Sequence, residues 1–241
     1  MKTTVIAVVA LILCAAAGYL LGSINWAIIL TRIYQRKDIR TEGSGNAGMT
    51  NVLRSVGKLP AVLTFLGDFL KCVAAVLLSQ LILEGAFLAF QDVSPTGEIL
   101  QVGRYVAGAA CVVGHIFPLY YGFRGGKGIA SAAAMIAIVD WRVFLLVIAT
   151  FGILFLWKKI ISLASVACAA LYPVFTFLVV FFLDFSGSPY EGNAGRPLWY
   201  LLFAIGAALF IGGLVLVKHR SNIGRLLRGE EKPIIRAKER K

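Results

Sequence analysis

Apolar residues in this chain fall into long runs separated by short polar stretches. Thr3–Leu30 is almost wholly apolar, and Pro60–Leu83 carries two charges, Asp68 and Lys71. A third run opens at Arg104, and Ile160–Leu183 and Leu198–Val217 complete the series. Runs of about 20 apolar residues match a helix that crosses a bilayer, so the pattern predicts an all-α integral membrane protein. Ala15, Ala16 and Ala17 would suit a signal-peptidase site, but a secretory signal has an apolar core of about 7–15 residues. Here the run continues past the alanines, so it is read as the first transmembrane helix.

Residues 129–157 decide the number of crossings, because Asp140, Trp141 and Arg142 interrupt them. Two helices meeting there would have about 15 residues each, roughly 22 Å, which is short for a hydrocarbon core of about 30 Å. Charge favours the break. With a hairpin at Asp140, nineteen basic residues share one side, namely the six of Thr31–Lys58, Arg124, Lys127, Lys158, Lys159 and the nine from Lys218 onward. Four lie opposite (Lys2, Arg104, Arg142 and Arg196) and Lys71 lies in the membrane. By the positive-inside rule, this asymmetry predicts seven transmembrane helices, with the N-terminus out and the C-terminus cytoplasmic. Residues 1–231 are expected to form a single polytopic domain, followed by a basic, disordered tail over 232–241.

Composition agrees with this picture: 59% of residues are hydrophobic, 15% are charged, and the mean hydropathy is +0.83. A soluble domain would carry about a quarter charged residues. The net charge of +12 lies in loops and the tail beside apolar runs, which fits anionic lipid headgroups and not nucleic acid. Cys14, Cys72, Cys111 and Cys168 all sit inside apolar runs without Cys-x-x-Cys spacing, so they read as small core residues and not as disulfides or metal ligands.

Three polar stretches carry the candidate chemistry, and the expected topology places all of them on the cytoplasmic face. Gly43–Asn51 alternates glycine with Ser44, Asn46, Thr50 and Asn51, and Arg54 follows one turn later. The reading as a loop dense in donors stands beside that of an ordinary solvated loop. In Gly114–Ser131, Arg124 and Lys127 stand among Gly125, Gly126 and Gly128. Such a stretch suits a nest of backbone N–H groups around phosphate or carboxylate, or else close packing of two helices with basic residues on the inner side. A Walker A loop is excluded, because Tyr121 and Gly128 occupy positions that need glycine and a hydroxyl residue. The third stretch, His219–Glu231, places Ile223, Leu226 and Leu227 among arginines, which also suits a helix lying on the membrane surface. Ser162 opens a helix, where it would ordinarily serve as a cap. Asp68 and Lys71, three residues apart on one helix face, either neutralise each other or meet substrate. Carboxylates are scarce in these stretches, and neither His115 nor His219 begins a His-x4-Asp pattern, since Tyr120 and Gly224 hold the fifth positions.

Taken together, Ser44-Gly-Asn-Ala-Gly-Met-Thr-Asn51, Gly114–Gly128 and His219–Glu230 resemble, in order, the three cytoplasmic motifs of the bacterial acyl-phosphate:glycerol-3-phosphate acyltransferases. The likeness covers nearly the whole chain. Met49 replaces a usual alanine and Arg124 a usual lysine. The resemblance implies transfer of a fatty acyl group from acyl phosphate to the 1-hydroxyl of sn-glycerol 3-phosphate, giving lysophosphatidic acid in the first step of phospholipid synthesis. By the family pattern Ser44, Gly45, Asn46, Thr50 and Asn51 cradle acyl phosphate, while Arg54, Lys127, Ser162, His219 and Asn222 hold glycerol 3-phosphate. Gly125, Gly126 and Gly128 line the substrate site, and Ser44, Lys127, His219 and Asn222 carry the catalysis. The donor phosphate takes the hydroxyl proton, and no cofactor or metal is implied. Expected partners are the two substrates, membrane lipids and the enzyme that supplies acyl phosphate, with no nucleic acid, at the bacterial inner membrane. A phosphate-anion transporter and a lipid-binding scaffold are the competing readings. The two halves show no repeat and the polar motifs gather at one face, which speaks against the transporter.

Overall fold

The computed structural model describes residues 2–91, 95–186, 195–231 and 233, and all regular elements among them are helical. Apart from Pro233, the tail expected to be disordered lies outside the described residues, as does the middle of the Asp184–Pro197 loop. The helices form two compact units, Met1–Val139 and Asp140–Lys241.

The first unit holds α1 (Lys2–Ser23), α2 (Trp26–Gln35), α3 (Met49–Ser55), α4 (Lys58–Gln91), α5 (Gly97–Ile116) and α6 (Ile129–Val139). The expected single helix over Thr3–Leu30 is broken at Ile24–Asn25, because Asn25 adopts an extended backbone and its Oδ1 accepts the Ile28 N–H at 3.1 Å. An N-cap in mid-run starts a new helix. That helix continues to Gln35, past the Thr31 boundary expected for the polar loop, and ends at Arg36 in a left-handed conformation. α4 and α5 likewise extend beyond the apolar runs that end at Leu83 and open at Arg104, leaving 92–96 between them. Along α1, Gly18 and Gly22 face the α5 backbone at Ala107 and Cys111, and Gly114 of α5 faces Tyr19 and Ser23. A methyl group on any of them would collide with main chain, so these glycines set the close approach of two helices.

The second unit holds α7 (Trp141–Lys158), α8 (Ile161–Val179), a wide π-type turn over Val180–Phe185, α9 (Leu198–Lys218) and α10 (Arg220–Leu227). The break expected at Asp140 is present: its Oδ1 accepts the N–H of Arg142 at 3.0 Å and caps α7. Arg142 is also held by Asp184 at 2.8 Å. Pro173 lies within α8 and leaves the Ala169 carbonyl without its helical donor. Gly212 of α9 packs there, with space so tight that an added Cβ would lie 2.6 Å from that oxygen. Among the described residues, six helical stretches are long and apolar enough to cross a membrane: Thr3–Gln35, Lys58–Phe90, Gly97–Tyr121, Trp141–Lys158, Ile161–Phe185 and Leu198–Lys218. α6, also apolar, has 11 residues and rises about 16 Å.

Candidate functional site

In the first unit the Gly43–Asn51 loop is built around Asn51, which is 2% exposed. Its Nδ2 donates to the carbonyls of Ile39, Glu42 and Asn46 at 3.1, 2.9 and 3.1 Å, and its Oδ1 accepts the Ser44 N–H at 3.0 Å. One amide thus organises the main chain of the whole loop. This modifies the expectation that Asn51 faces acyl phosphate, because both ends of its side chain are engaged within the loop. Gly43 and Gly45 take positive φ of 54° and 69°, which lets the loop curl around that amide. Beneath it Ala27, Ile28, Ile39, Ala47, Val52 and Ala61 form a small apolar cluster, so Ser44 and Gly45 are presented at the surface on a firm base. Asn46 and Thr50 are half-buried, and Arg54 is exposed in the last turn of α3.

The Gly114–Gly128 stretch leaves α5, makes one 3-10 turn at Leu119–Tyr121, and reaches α6 through Gly125-Gly126-Lys127-Gly128. The N–H groups of Gly125 and Gly126 donate to the carbonyls of Ile116 and His115 at 3.2 and 3.1 Å. Those two amides therefore turn back onto α5. This corrects the expectation of a nest of glycine N–H groups pointing at a guest. What Gly126 provides is room: an added Cβ would strike the His115 ring at Nε2 and lie 2.6 Å from the Ala47 carbonyl. Gly128, at φ 85°, takes the left-handed conformation that aims the chain into α6. Lys127 is half-buried between these two buried glycines. The helix-packing reading holds at Gly114, while Gly125, Gly126 and Gly128 shape the turn that presents Lys127.

Arg40 clamps the two loops together. Its Nε and Nη2 grip both oxygens of Asp38 at 3.0 and 2.8 Å, while Nη1 donates to the Tyr121 carbonyl at 2.7 Å and reaches that of Arg124 at 3.4 Å. The hydrogen bonds from this guanidinium hold the Asp38 carboxyl below its ordinary pKa.

In the second unit Ser162 and Asn222 meet on one carboxylate. Ser162 Oγ and Asn222 Nδ2 donate to Glu231 Oε1 at 2.7 and 2.8 Å, and Arg225 Nε donates to Oε2 at 2.6 Å. Burial pushes the Glu231 carboxyl up, but hydrogen bonds from Arg225, Ser162 and Asn222 outweigh it and leave the group below its ordinary value. Ser162 is not the helix cap expected from its position, since Ile160 takes that place. The ring of His219, 3% exposed, sets its Nδ1 2.8 Å from the Val215 carbonyl. A carbonyl only accepts, so Nδ1 carries the proton. Two side chains named from the sequence, Ser162 and Asn222, thus meet on one anion, and His219 stands at the start of the helix that carries Asn222. No cluster of three or more metal-binding side chains occurs among the described residues.

The family model described as glycerol-3-phosphate acyltransferase matches residues 12–229. The chain belongs to the glycerol-3-phosphate acyltransferase family. A glycerol-3-phosphate acyltransferase of Clostridioides difficile is 37% identical over 95% of this chain and 97% of its own length. Another, of Thioalkalivibrio sulfidiphilus, is 36% identical over 90% of each. The crystal structure of PlsY (YgiH), an integral membrane glycerol 3-phosphate acyltransferase, in its glycerol 3-phosphate form superposes with a TM-score of 0.69 at 33% identity, covering 93% of this chain and 96% of that one. The lysophosphatidic acid form gives 0.66 at 32% identity over 92% and 94%. With this neighbour and its own apolar helices, this member of the acyltransferase family is a multi-pass integral membrane protein.

Three residues important to this geometry carry no local sequence signal. Arg40 works on carbonyls more than eighty positions away, His115 joins a pair on another helix, and Glu231 acts as the shared acceptor of Ser162 and Asn222. An acid just after a surface helix ordinarily reads as part of a solvated tail.

Proposed function

We propose that this acyltransferase moves a fatty acyl group from acyl phosphate to the 1-hydroxyl of sn-glycerol 3-phosphate, releasing lysophosphatidic acid and phosphate. The observation that carries this reading is the likeness over nearly the full chain to PlsY in its glycerol 3-phosphate and lysophosphatidic acid forms. Acyl phosphate is a mixed anhydride with a good leaving group, so holding two phosphates close together, with the hydroxyl facing the carbonyl carbon, is most of the catalytic task. In this reading Ser44, Gly45, Asn46 and Thr50 receive the donor head while Asn51 shapes their loop. Arg54, Lys127, Ser162, His219 and Asn222 hold glycerol 3-phosphate, and Gly125, Gly126 and Gly128 give the Lys127 turn its close approach. The donor phosphate takes the hydroxyl proton as the new ester forms and the acyl–phosphate bond breaks. Lys127 offsets the repulsion of the two phosphates during that step.

The basic-residue tally supports seven crossings with the N-terminus out and the C-terminus and the reacting groups on the cytoplasmic face, and the resemblance to the bacterial family supports the inner membrane as location. Residues 12–229 lie within one family match, which supports a single catalytic domain. The partners in this reading are the two substrates, membrane lipids and the enzyme that makes acyl phosphate. The test is purified protein with synthetic acyl phosphate and labelled glycerol 3-phosphate, scored for lysophosphatidic acid, with acyl-coenzyme A as the comparison donor. Acyl phosphate should be used and acyl-coenzyme A should not; comparable turnover of both refutes the donor assignment.

A further inference from the structure

Asp68 and Lys71 meet in an ion pair of 2.8 Å between side chains only 3% and 4% exposed. The pair is not alone. Lys71 Nζ also donates to the Ile24 carbonyl at 2.6 Å, which the break between α1 and α2 leaves open, and lies 3.0 Å from His115 Nδ1. An ammonium has three hydrogens and no acceptor, so these three partners use all of them, and His115 Nδ1 accepts. That assignment takes precedence over the looser 3.3 Å approach of Nδ1 to Asp68 Oδ1. His115 is then neutral, with its remaining proton on Nε2, and the charges of the triad cancel.

Nε2 is the edge of the ring that faces the glycine turn. The space where Gly126 would carry a Cβ is bounded by this nitrogen and by the Ala47 carbonyl of the Gly43–Asn51 loop. The His115 and Ile116 carbonyls hold the amides of Gly126 and Gly125, and the Asp68 carbonyl accepts Ser131 Oγ of α6 at 3.0 Å. α4 thus reaches both the start and the end of the turn, through His115 before Lys127 and through Ser131 after it. An ion pair kept merely for neutrality would need no contact with either loop.

We propose that Asp68, Lys71 and His115 form a positioning triad that fixes the glycine turn, and with it Lys127, against the Gly43–Asn51 loop. The triad touches no substrate. It sets the orientation of the imidazole, and the imidazole edge sets the height of the turn. This inference rests on the reading of Lys127 as a glycerol 3-phosphate ligand for its effect on turnover, but not for its effect on the turn itself.

The test compares His115→Ala, His115→Asn and His115→Gln in detergent. Asn restores an acceptor for Lys71 without reaching the turn, whereas Gln places an amide near the Nε2 position. Hydrogen exchange at the Gly125 and Gly126 amides reads the turn without any reaction. Exchange should be at least tenfold faster in the Ala and Asn variants and near wild type in the Gln variant. The KM for glycerol 3-phosphate should follow the same order, rising about tenfold in the Ala variant, while the KM for acyl phosphate stays within twofold. A double variant, Asp68→Asn with Lys71→Met, removes both charges together and avoids stranding one; it should loosen the same two amides. Unchanged exchange in His115→Ala, or equal behaviour of Asn and Gln, overturns the triad's role. A wild-type protein that fails to acylate glycerol 3-phosphate overturns the proposed function, and the exchange pattern still judges the triad.

Discussion

Ser162 Oγ donates to Glu231 Oε1 across 2.7 Å, although sixty-nine positions separate them in the chain. Asn222 and Arg225 of α10 converge on the same carboxylate. Glu231 therefore sets the side chains that the proposed reaction needs. Hydrogen bonds to a charged group each contribute about 1.5–3 kcal/mol, so Glu231→Ala, which removes three, should lower the thermal midpoint and cut kcat/KM at least tenfold. Glu231→Gln keeps an acceptor for Ser162 and should retain more of both. Equal, wild-type-like behaviour of the two variants in a thermal scan and a turnover assay would contradict this.

The same clasp should respond to pH. The folded carboxyl of Glu231 sits below its unfolded value, 4.5, so its contribution is fully present above that pH and fades as pH falls through the lower folded value. Thermal midpoints measured from pH 7 downward should therefore fall more steeply in the wild type than in Glu231→Gln below about pH 4.5. Parallel curves would show that the carboxylate does not supply this stability.

Lys127 is expected to hold and neutralise phosphate, and not to act as a base. Loss of one such charge contact costs about 2.7–4 kcal/mol, or two to three orders of magnitude in rate, so Lys127→Ala should lose at least a hundredfold. Lys127→Arg keeps the charge on a broader planar group between buried glycines and should recover only part. Rate–pH profiles decide: an Arg variant as inactive as Ala, with a lysine-like rise in the wild type that both variants lose, would reverse the assignment.

Asn51 should act through its loop. Asn51→Asp replaces the amide donors with an anion facing the carbonyls of Ile39, Glu42 and Asn46; each carbonyl keeps its main-chain donor, but attraction becomes repulsion, and each lost hydrogen bond costs about 0.5–1.5 kcal/mol. Faster hydrogen exchange across residues 43–50 should appear without any substrate present. If exchange stays at the wild-type rate while activity falls, Asn51 contacts the donor directly.

Topology is open to labelling. Single cysteines replacing Arg40 and Lys238 should react from the same side of the membrane, as the basic-residue tally requires. Opposite accessibility in intact vesicles would exclude seven crossings.

The helices were largely legible because apolar length is a strong signal in lipid, and the Asp140 break was legible because a charged residue and a capping residue coincide there. The break at Asn25 was not. It lies inside a run that stays apolar on average despite Ser23 and Asn25, and only the side-chain cap reveals it. The glycine stretch announced a tight turn, but glycine in a sequence does not say whether its N–H faces a guest or its own helix; in Gly125 and Gly126 it faces the helix. Asp68 and Lys71 were readable as a pair because they share a helix face. Their third member was hidden, since His115 lies forty-four positions beyond Lys71 and pairing between helices has no sequence period.

Arg40 grips the turn at the carbonyls of Tyr121 and Arg124, atoms that every amino acid possesses. The clamp is therefore blind to which side chains stand at those two positions. Mutational drift there is unopposed by the joint itself, so arginine in place of the family's usual lysine at 124 leaves the loops joined as before. Changes at Arg40 have no such latitude, because a single guanidinium serves Asp38 and the neighbouring loop at once. Across related sequences the joint itself should demand one fixed arginine at 40 and place no demand on the side chains at 121 and 124.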